Sequence, residues 1–245
     1  MSKLEVRNIS KSFGDKAVLD DISIHLDKGE LVCLLGVSGG GKTTLFNIIA
    51  GLLSPDCGQV YLDGKDVTGK PGQVSYMLQK DLLLPYRTIE DNVALPLLLK
   101  GMNKNDARRE VSERFEEFGL EGTQKKYPAQ LSGGMRQRAA LLRTYMFSQD
   151  VALLDEPFSA LDTLTKSAMH RWYLDVMDKI QLSTLFITHD IDEAILLSDR
   201  IYLLSSQPGR IAGEIMISHP KPRRADFNLT PEFLAYKRRI LGMLY

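Results

Sequence analysis

Gly36, Gly41, Lys42 and Thr43, in the stretch GVSGGGKTT, stand in the spacing G-x-x-x-x-G-K-[ST]. Glycine backbone turns tightly enough to aim successive N–H groups at phosphate oxygens, and the positive end of a following helix adds to the attraction. The stretch therefore predicts a nucleotide-phosphate loop, in which Lys42 reaches the β- and γ-phosphates and the Thr43 hydroxyl meets Mg²⁺. Ser38, Gly39, Gly40 and Thr44 complete the loop. A plain glycine turn is the competing explanation. The context argues against it, because the apolar run LVCLL precedes the loop and the apolar helical pattern TLFNIIAGLL follows it.

Two further stretches carry chemistry. VALLDEP puts Asp155 and Glu156 where an apolar strand would emerge at its C-terminal end, the edge at which open α/β sheets bind ligands. Asp155 is placed to hold the Mg²⁺ shell, and Glu156 to orient and deprotonate an attacking water. About ninety residues beyond Lys42, QLSGGMRQR opens a second helix: Ser132, Gly133 and Gly134 precede apolar residues at helical spacing, Ala139, Leu142 and Tyr145 or Met146. A helix start of this kind is itself an anion site. One nucleotide needs one cradle, so a chain with two can use both if two copies pair head to tail, each covering the nucleotide held by the other.

The elements that must position these residues are legible in outline. Leu4 to Asn8 and Ile22 to Leu26 alternate apolar and polar residues, the pattern of antiparallel strands with one solvated face. Leu31 to Leu35 and Val151 to Leu154 are uninterrupted apolar runs, as expected of parallel strands buried on both faces, and Thr184 to Ile187 and Ile201 to Leu204 make further members. Helical patterns separate them, so the class is α/β with a largely parallel sheet. Between 81 and 143 the pattern is helical, with Val111, Phe115 and Phe118 at helical spacing among many charges. This divides the chain into an ATPase domain over 1–217, with 1–80 and 144–217 as its catalytic core and 81–143 as an inserted helical lobe, and a tail over 218–245 too short for a regulatory domain.

Composition narrows the function. With 31 Lys and Arg against 31 Asp and Glu the formal charge is zero, which speaks against nucleic acid as a partner. Cys33 and Cys57 form no paired spacing, and are expected as small buried hydrophobes in a reducing compartment. The first residues lack the apolar core of a signal peptide, and runs such as Ala94 to Leu99 fall far short of the roughly 20 residues that span a bilayer. A cytosolic protein is expected, any membrane role coming through a partner. His25, His170 and His219 sit in no metal-type cluster, and the basic stretches PKPRR and KRR read as solvated charge.

Taken together, the motifs resemble those of the ATP-binding subunits of ABC transporters. LSGGMRQR is similar to the family's signature, GVSGGGKTT to its Walker A, VALLDEP to its Walker B, FSALD to its D-loop and ITHD to its His switch, all in the family's order from about Lys3 to Ile217. The resemblance implies a P-loop ABC ATPase fold, with a RecA-like sheet, an antiparallel β subdomain and an inserted helical subdomain. It implies that Gln79 touches Mg²⁺ and the water, that His189 contacts the γ-phosphate, and that Phe13 stacks on adenine. Simple burial of Phe13 in the core is the alternative. Ser132, Gly133, Gly134 and Gln137 would act on the partner's ATP, and Asp162 would bridge the pair. The implied partners are a second, identical nucleotide-binding subunit, transmembrane permease subunits and, indirectly, a solute-binding protein, at the cytoplasmic face of the membrane. ALPLLL would grip a permease helix.

LLLPYRTIEDNVALPL and LLSSQPGRIAGEI further resemble the importer branch for nitrate, sulfonates, taurine, bicarbonate or thiamine precursors. LLRTYM and PYR depart from that branch, which usually has LARAL-like and PWR stretches there. An export or lipoprotein-release cassette is one alternative. Another is a soluble ATPase of DNA repair, chromosome maintenance or translation, but repair and chromosome types carry long coiled coils between phosphate loop and signature, and the translation types carry two cassettes. This chain shows no sustained heptads and one cassette.

Overall fold

The computed structural model describes residues 2–37, 39–148, 150–221, 223 and 226–244. The chain opens with two long strands, β1 (Ser2–Phe13) and β2 (Lys16–Asp27), then β3 (Leu31–Gly36) and helix α1 (Lys42–Ile49). Three short strands follow, β4 (Cys57–Leu62), β5 (Lys65–Asp66) and β6 (Ser75–Met77). A helical stretch contains α2 (Ile89–Val93), α3 (Leu95–Leu99), α4 (Lys104–Ser112) and α5 (Gly133–Phe147). The remainder alternates: β7 (Val151–Asp155), α6 (Thr163–Ile180), β8 (Ser183–Thr188), α7 (Ile191–Leu197), β9 (Arg200–Leu204), β10 (Ile211–Met216) and α8 (Pro231–Leu244).

Two sheets result. One is antiparallel in the order β2-β1-β4-β5; the other runs β10-β9-β3-β8-β7-β6, parallel throughout except for β10 at its edge. The alternation read at Leu4 to Asn8 and Ile22 to Leu26 matches the antiparallel pair, whose Leu4, Val6, Ile22 and Ile24 point inward. All six residues of β3 are buried, and the pleat splits them between two cores. Leu31, Cys33 and Leu35 pack with α5, α6 and α7, while Val32 and Leu34 pack with α1 and the antiparallel sheet. Each such side chain stabilises the fold by roughly 1.5–3 kcal/mol. Cys33 is buried as expected; Cys57 is exposed, because it starts a strand whose first residue lies on the open face.

Val111, Phe115 and Phe118 are all fully buried, although α4 ends at Ser112 and the chain continues to Phe118 in turns. Asn103 caps α4 by accepting from Asp106 N, and the Arg108 guanidinium forks onto both carboxylate oxygens of Asp91 at 2.8 Å, fixing α4 against α2. The helix α5 runs past residue 143 without a break.

The tail corrects one expectation. Arg223 of PKPRR is not solvated; it is buried, and its guanidinium donates to the carbonyls of Ile195, Leu196 and Ser198 at 2.8 Å each, closing the end of α7. A helix end leaves carbonyls without intrahelical partners, and here a tail side chain supplies the missing donors. Burial pushes the Arg223 pKa down to about 10. In KRR, Lys237 pairs with Asp192 at 2.6 Å, and Arg238 and Arg239 are exposed as expected. Arg223→Met should lower unfolding stability by roughly 3 kcal/mol, since buried carbonyls left unpaired cost about 1–3 kcal/mol each. That corresponds to a fall of about 6–12 °C in thermal midpoint for a chain of this size. A fall under about 2 °C would show that water replaces the guanidinium.

Candidate functional site

Parallel register brings the chemistry to one edge. Leu35 of β3 stands opposite Thr188 of β8, Ile187 opposite Asp155 of β7, and Leu154 opposite Met77 of β6. The residues that follow each strand therefore emerge side by side: the glycine loop after Gly36, Glu156, His189 and Gln79. This is the C-terminal edge of a parallel sheet, where ligands bind.

The phosphate loop ends at Gly41, the cap of α1, whose φ of 92° suits glycine alone. A Cβ there would also lie 2.7 Å from a Leu19 methyl, so both backbone and space require glycine. Lys42 is buried with its ammonium turned back onto the loop, donating to Gly36 O at 2.7 Å and Val37 O at 2.8 Å. Burial lowers its pKa, while Glu156 and Asp155 pull the other way. Gly39 and Gly40 lie in the same loop and Thr44 on the first turn of α1. Ser38 lies outside the described residues.

Thr43 Oγ1 donates to Asp155 Oδ2 at 3.2 Å, which sets a hydroxyl and a carboxylate side by side. Burial raises the Asp155 pKa, and Thr43 and Lys42 counter it. Among the described residues no cluster of three or more His, Cys, Asp or Glu could hold a metal alone. That donor set fits Mg²⁺, which keeps waters and binds through one or two protein oxygens plus substrate phosphates.

Glu156 forms the hub. Its Oε2 accepts from Gln79 Nε2 at 3.1 Å, and its Oε1 lies 3.1 Å from His189 Nδ1. An ionised carboxylate only accepts, so this pairing places a proton on Nδ1 and leaves Nε2 free. Glu156 holds a left-handed backbone, φ 46°, at a residue with a Cβ. Such conformations persist only where surroundings over-determine them; here Glu156 N donates to Ile187 O and its carbonyl accepts from Ser159. Gln79, Glu156 and His189 line a cleft of about 750 Å³ together with Ser159 and Gln137.

The second group of predicted residues stands on helix starts. Ser132 caps α5, its Oγ accepting from Met135 N at 3.3 Å, and is exposed with Gly133 half-buried behind it. Gly134 is buried against Met169 and Thr165 of α6. Asp162 caps α6, accepting from Leu164 N and Thr165 N, bonds that hold its pKa low, with the Thr165 hydroxyl the largest influence. Gln137 differs: it is buried and lines the cleft beside its own chain's Glu156 instead of standing outward with Ser132. Among the described residues no hydrogen bond joins the start of α5 to the phosphate loop. Phe13 is 52 % exposed, with the Lys11 ammonium 5.6 Å from its ring centroid, so it is not a core residue.

The structure adds groups that spacing did not reveal. Lys166 of α6 bridges Asp190 at 2.7 Å and Glu193 at 2.8 Å, tying the helix behind Asp162 to the helix behind His189. Arg143 of α5 donates to the carbonyls of Asp81 and Leu82, just beyond Gln79. Both lie in helices that carry other basic residues, Arg136 and Arg138 in α5 and Arg171 and Lys179 in α6, so neither carries a distinguishing sequence signal.

The profile of the ABC transporter family matches residues 19–159. The nitrate import ATP-binding protein NrtD of Synechocystis sp. is 38% identical, the alignment covering 98% of this chain and 94% of the relative. The formylaminopyrimidine import ATP-binding protein ThiZ of Halalkalibacterium halodurans is 46% identical over 78% of this chain and 74% of its own. Among solved structures, the ATP-binding cassette MJ0796, a dimer in a post-hydrolysis state bound to ADP and Pi, superposes with a TM-score of 0.73 at 27% identity, covering 89% of this chain and 100% of that one. With a family match over more than half its length and relatives this similar along nearly all of it, the chain belongs to the ABC transporter family, as an ATP-binding cassette that hydrolyses ATP.

Proposed function

We propose that this chain powers an importer of a small solute, two copies pairing head to tail with Mg-ATP held at two shared sites. The hydrogen-bonded cluster of Gln79, Glu156 and His189, set beside Lys42 and Asp155 at one sheet edge, carries the hydrolytic part of this reading. The adenine stacks on exposed Phe13, and the phosphates meet the loop from Gly36 to Thr44. Lys42 swings from its two carbonyls to the β- and γ-phosphates. Thr43, Asp155 and Gln79 would hold Mg²⁺, which neutralises phosphate charge when bound. Glu156 takes a proton from water as the water oxygen attacks the γ-phosphorus and ADP departs, and His189 contacts the γ-phosphate through the nitrogen its Glu156 bond leaves free. Ser132, Gly133 and Asp162, all on helix starts, face the other copy.

Relatives whose names specify import of nitrate, formylaminopyrimidine or aliphatic sulfonates support uptake as the work performed. No described helix is long and apolar enough to cross a membrane; the likeness to import ATP-binding proteins is what supports reading the chain as a peripheral subunit on the cytoplasmic face. Within ALPLLL, Ala94 and Leu97 are buried in the helical stretch, while Leu99 projects, 78 % exposed, and is the part of this segment we propose for the permease contact. Leu82 and Tyr86, the latter 80 % exposed, are further apolar surface residues, and a groove of about 260 Å³ lies between Leu52, Pro96 and Phe147. These apolar surfaces are the proposed seat of the permease.

Tagging the subunit, solubilising native membranes gently and identifying what co-purifies tests this. A polytopic permease with a solute-binding protein is the expected result; ribosomes, DNA or no membrane protein would favour a soluble ATPase.

A further inference from the structure

We infer that Arg143 is a positioning residue that locks the loop after Gln79 to the helix beginning at Ser132, so that nucleotide sensed in one copy moves the surface it offers the other. This rests on the paired-copy reading proposed above. The geometry is direct. From α5, Arg143 Nη1 donates to Leu82 O at 2.8 Å and Nη2 to Asp81 O at 2.5 Å, one planar fork spanning two consecutive carbonyls. One turn from Ser132 on the same helix, Arg136 Nε lies 3.3 Å from the Asp81 carboxylate, and its Nη1 donates to Leu131 O.

The grip falls on backbone that does not hold itself. Leu82 has φ 45°, a left-handed conformation disfavoured for a residue with a Cβ, and it is exposed. Within the loop Asp81 Oδ1 accepts from Leu83 N at 3.1 Å, and Asn92 exchanges two hydrogen bonds with the backbone of Leu84 beyond it. Strained backbone persists when its surroundings hold it, and among the described residues the Arg143 fork is the side-chain contact made directly to the carbonyls of Asp81 and Leu82. Gln79 lies two residues away with its amide on Glu156. A displacement of Gln79 by nucleotide therefore reaches Asp81 and Leu82, then Arg143, and then Ser132 through α5, whose Ala139, Leu142 and Met146 are packed in the core. Arg143 also lines the groove between Leu52, Pro96 and Phe147, so an occupant of that groove presses on the same side chain.

The test uses the full chain carrying Glu156→Gln, expected to accumulate the ATP-bound pair, with and without Arg143→Met. Methionine keeps the apolar stem and removes every donor. The expected result is a split: fluorescent-nucleotide affinity at nanomolar protein, where subunits are single, stays within about twofold, while the ATP concentration needed for pairing in sedimentation velocity rises about tenfold or more, the loss of roughly 1.4 kcal/mol of coupling. Arg143→Lys, which keeps the charge but not the planar fork, should fall between and provides the comparison if methionine prevents folding. Pairing of the Arg143 variants at the parent's ATP concentration overturns the inference. Failure of the Glu156→Gln parent itself to pair overturns the paired-copy reading and the inference with it.

Discussion

Glu156→Gln should leave ATP bound and the pair closed while hydrolysis falls by about 10²–10⁴-fold, the range a positioned general base contributes. The substitution is close to isosteric. Its amide can still accept from Gln79 or from His189, and Glu156 N keeps its bond to Ile187 O, so the left-handed backbone at this position is not disturbed. What disappears is the site that takes the proton from water. Asp155 cannot substitute: it is buried, bonded to Thr43, and one residue back on the strand where it faces α1. Phosphate release at saturating ATP measures the loss, and nucleotide affinity with sedimentation measures what is retained. Turnover within tenfold of the parent would remove Glu156 as the base and leave Gln79 and His189 to be tested as the groups that orient the water.

The chemistry was legible where it depends on spacing within a single stretch. GVSGGGKTT could be read because phosphate contact demands glycine backbone followed by Lys42 and Thr43, and Gly41 at φ 92° is the physical form of that demand. Asp155 and Glu156 could be read because an uninterrupted apolar run must be buried and must end at the sheet's binding edge. The hub of Gln79, Glu156 and His189 was less direct, since three strands supply it and only the register of β6, β7 and β8 brings them together.

Packing decided the remainder, and local pattern is blind to it. Arg223 and Arg238 are alike in sequence; one closes the end of α7 and the other is exposed. Gln137 sits within the signature yet faces its own chain's cleft, because a helix turns 100° per residue and five positions beyond Ser132 the side chain points to a different side. ALPLLL is apolar both where it is covered and where Leu99 projects, so hydrophobicity alone could not say which part is surface. The short strands β4, β5 and β6 escaped notice for a related reason, being two to six residues long with few buried side chains to set a period.

Ser132→Arg should abolish ATP-driven pairing and, with it, at least about 99% of hydrolysis, although one subunit alone still binds ATP. Ser132 is exposed at the cap of α5, and among the described residues no hydrogen bond ties it to its own phosphate loop, so its loss should not weaken the nucleotide contacts its own chain makes. Removing the cap costs about 1 kcal/mol of helix stability, too little to unfold the chain. An arginine at the cap adds a long side chain to a face that, in the proposed pair, approaches the other copy's γ-phosphate through the backbone N–H groups of Gly133 and Gly134. The glycines admit that approach because Gly133 presents no side chain, and the added bulk denies it. Ser132→Ala separates the two effects: it loses the cap but not the space, and should retain pairing with a modest loss of affinity. Since a shared site needs both halves, hydrolysis should fall in proportion to the pairs lost, whereas a cassette that hydrolyses alone would be unaffected. Sedimentation with ATP in the Glu156→Gln background, alongside phosphate release in the Ser132 variants, measures both quantities, and unchanged pairing in Ser132→Arg would move the interface away from α5.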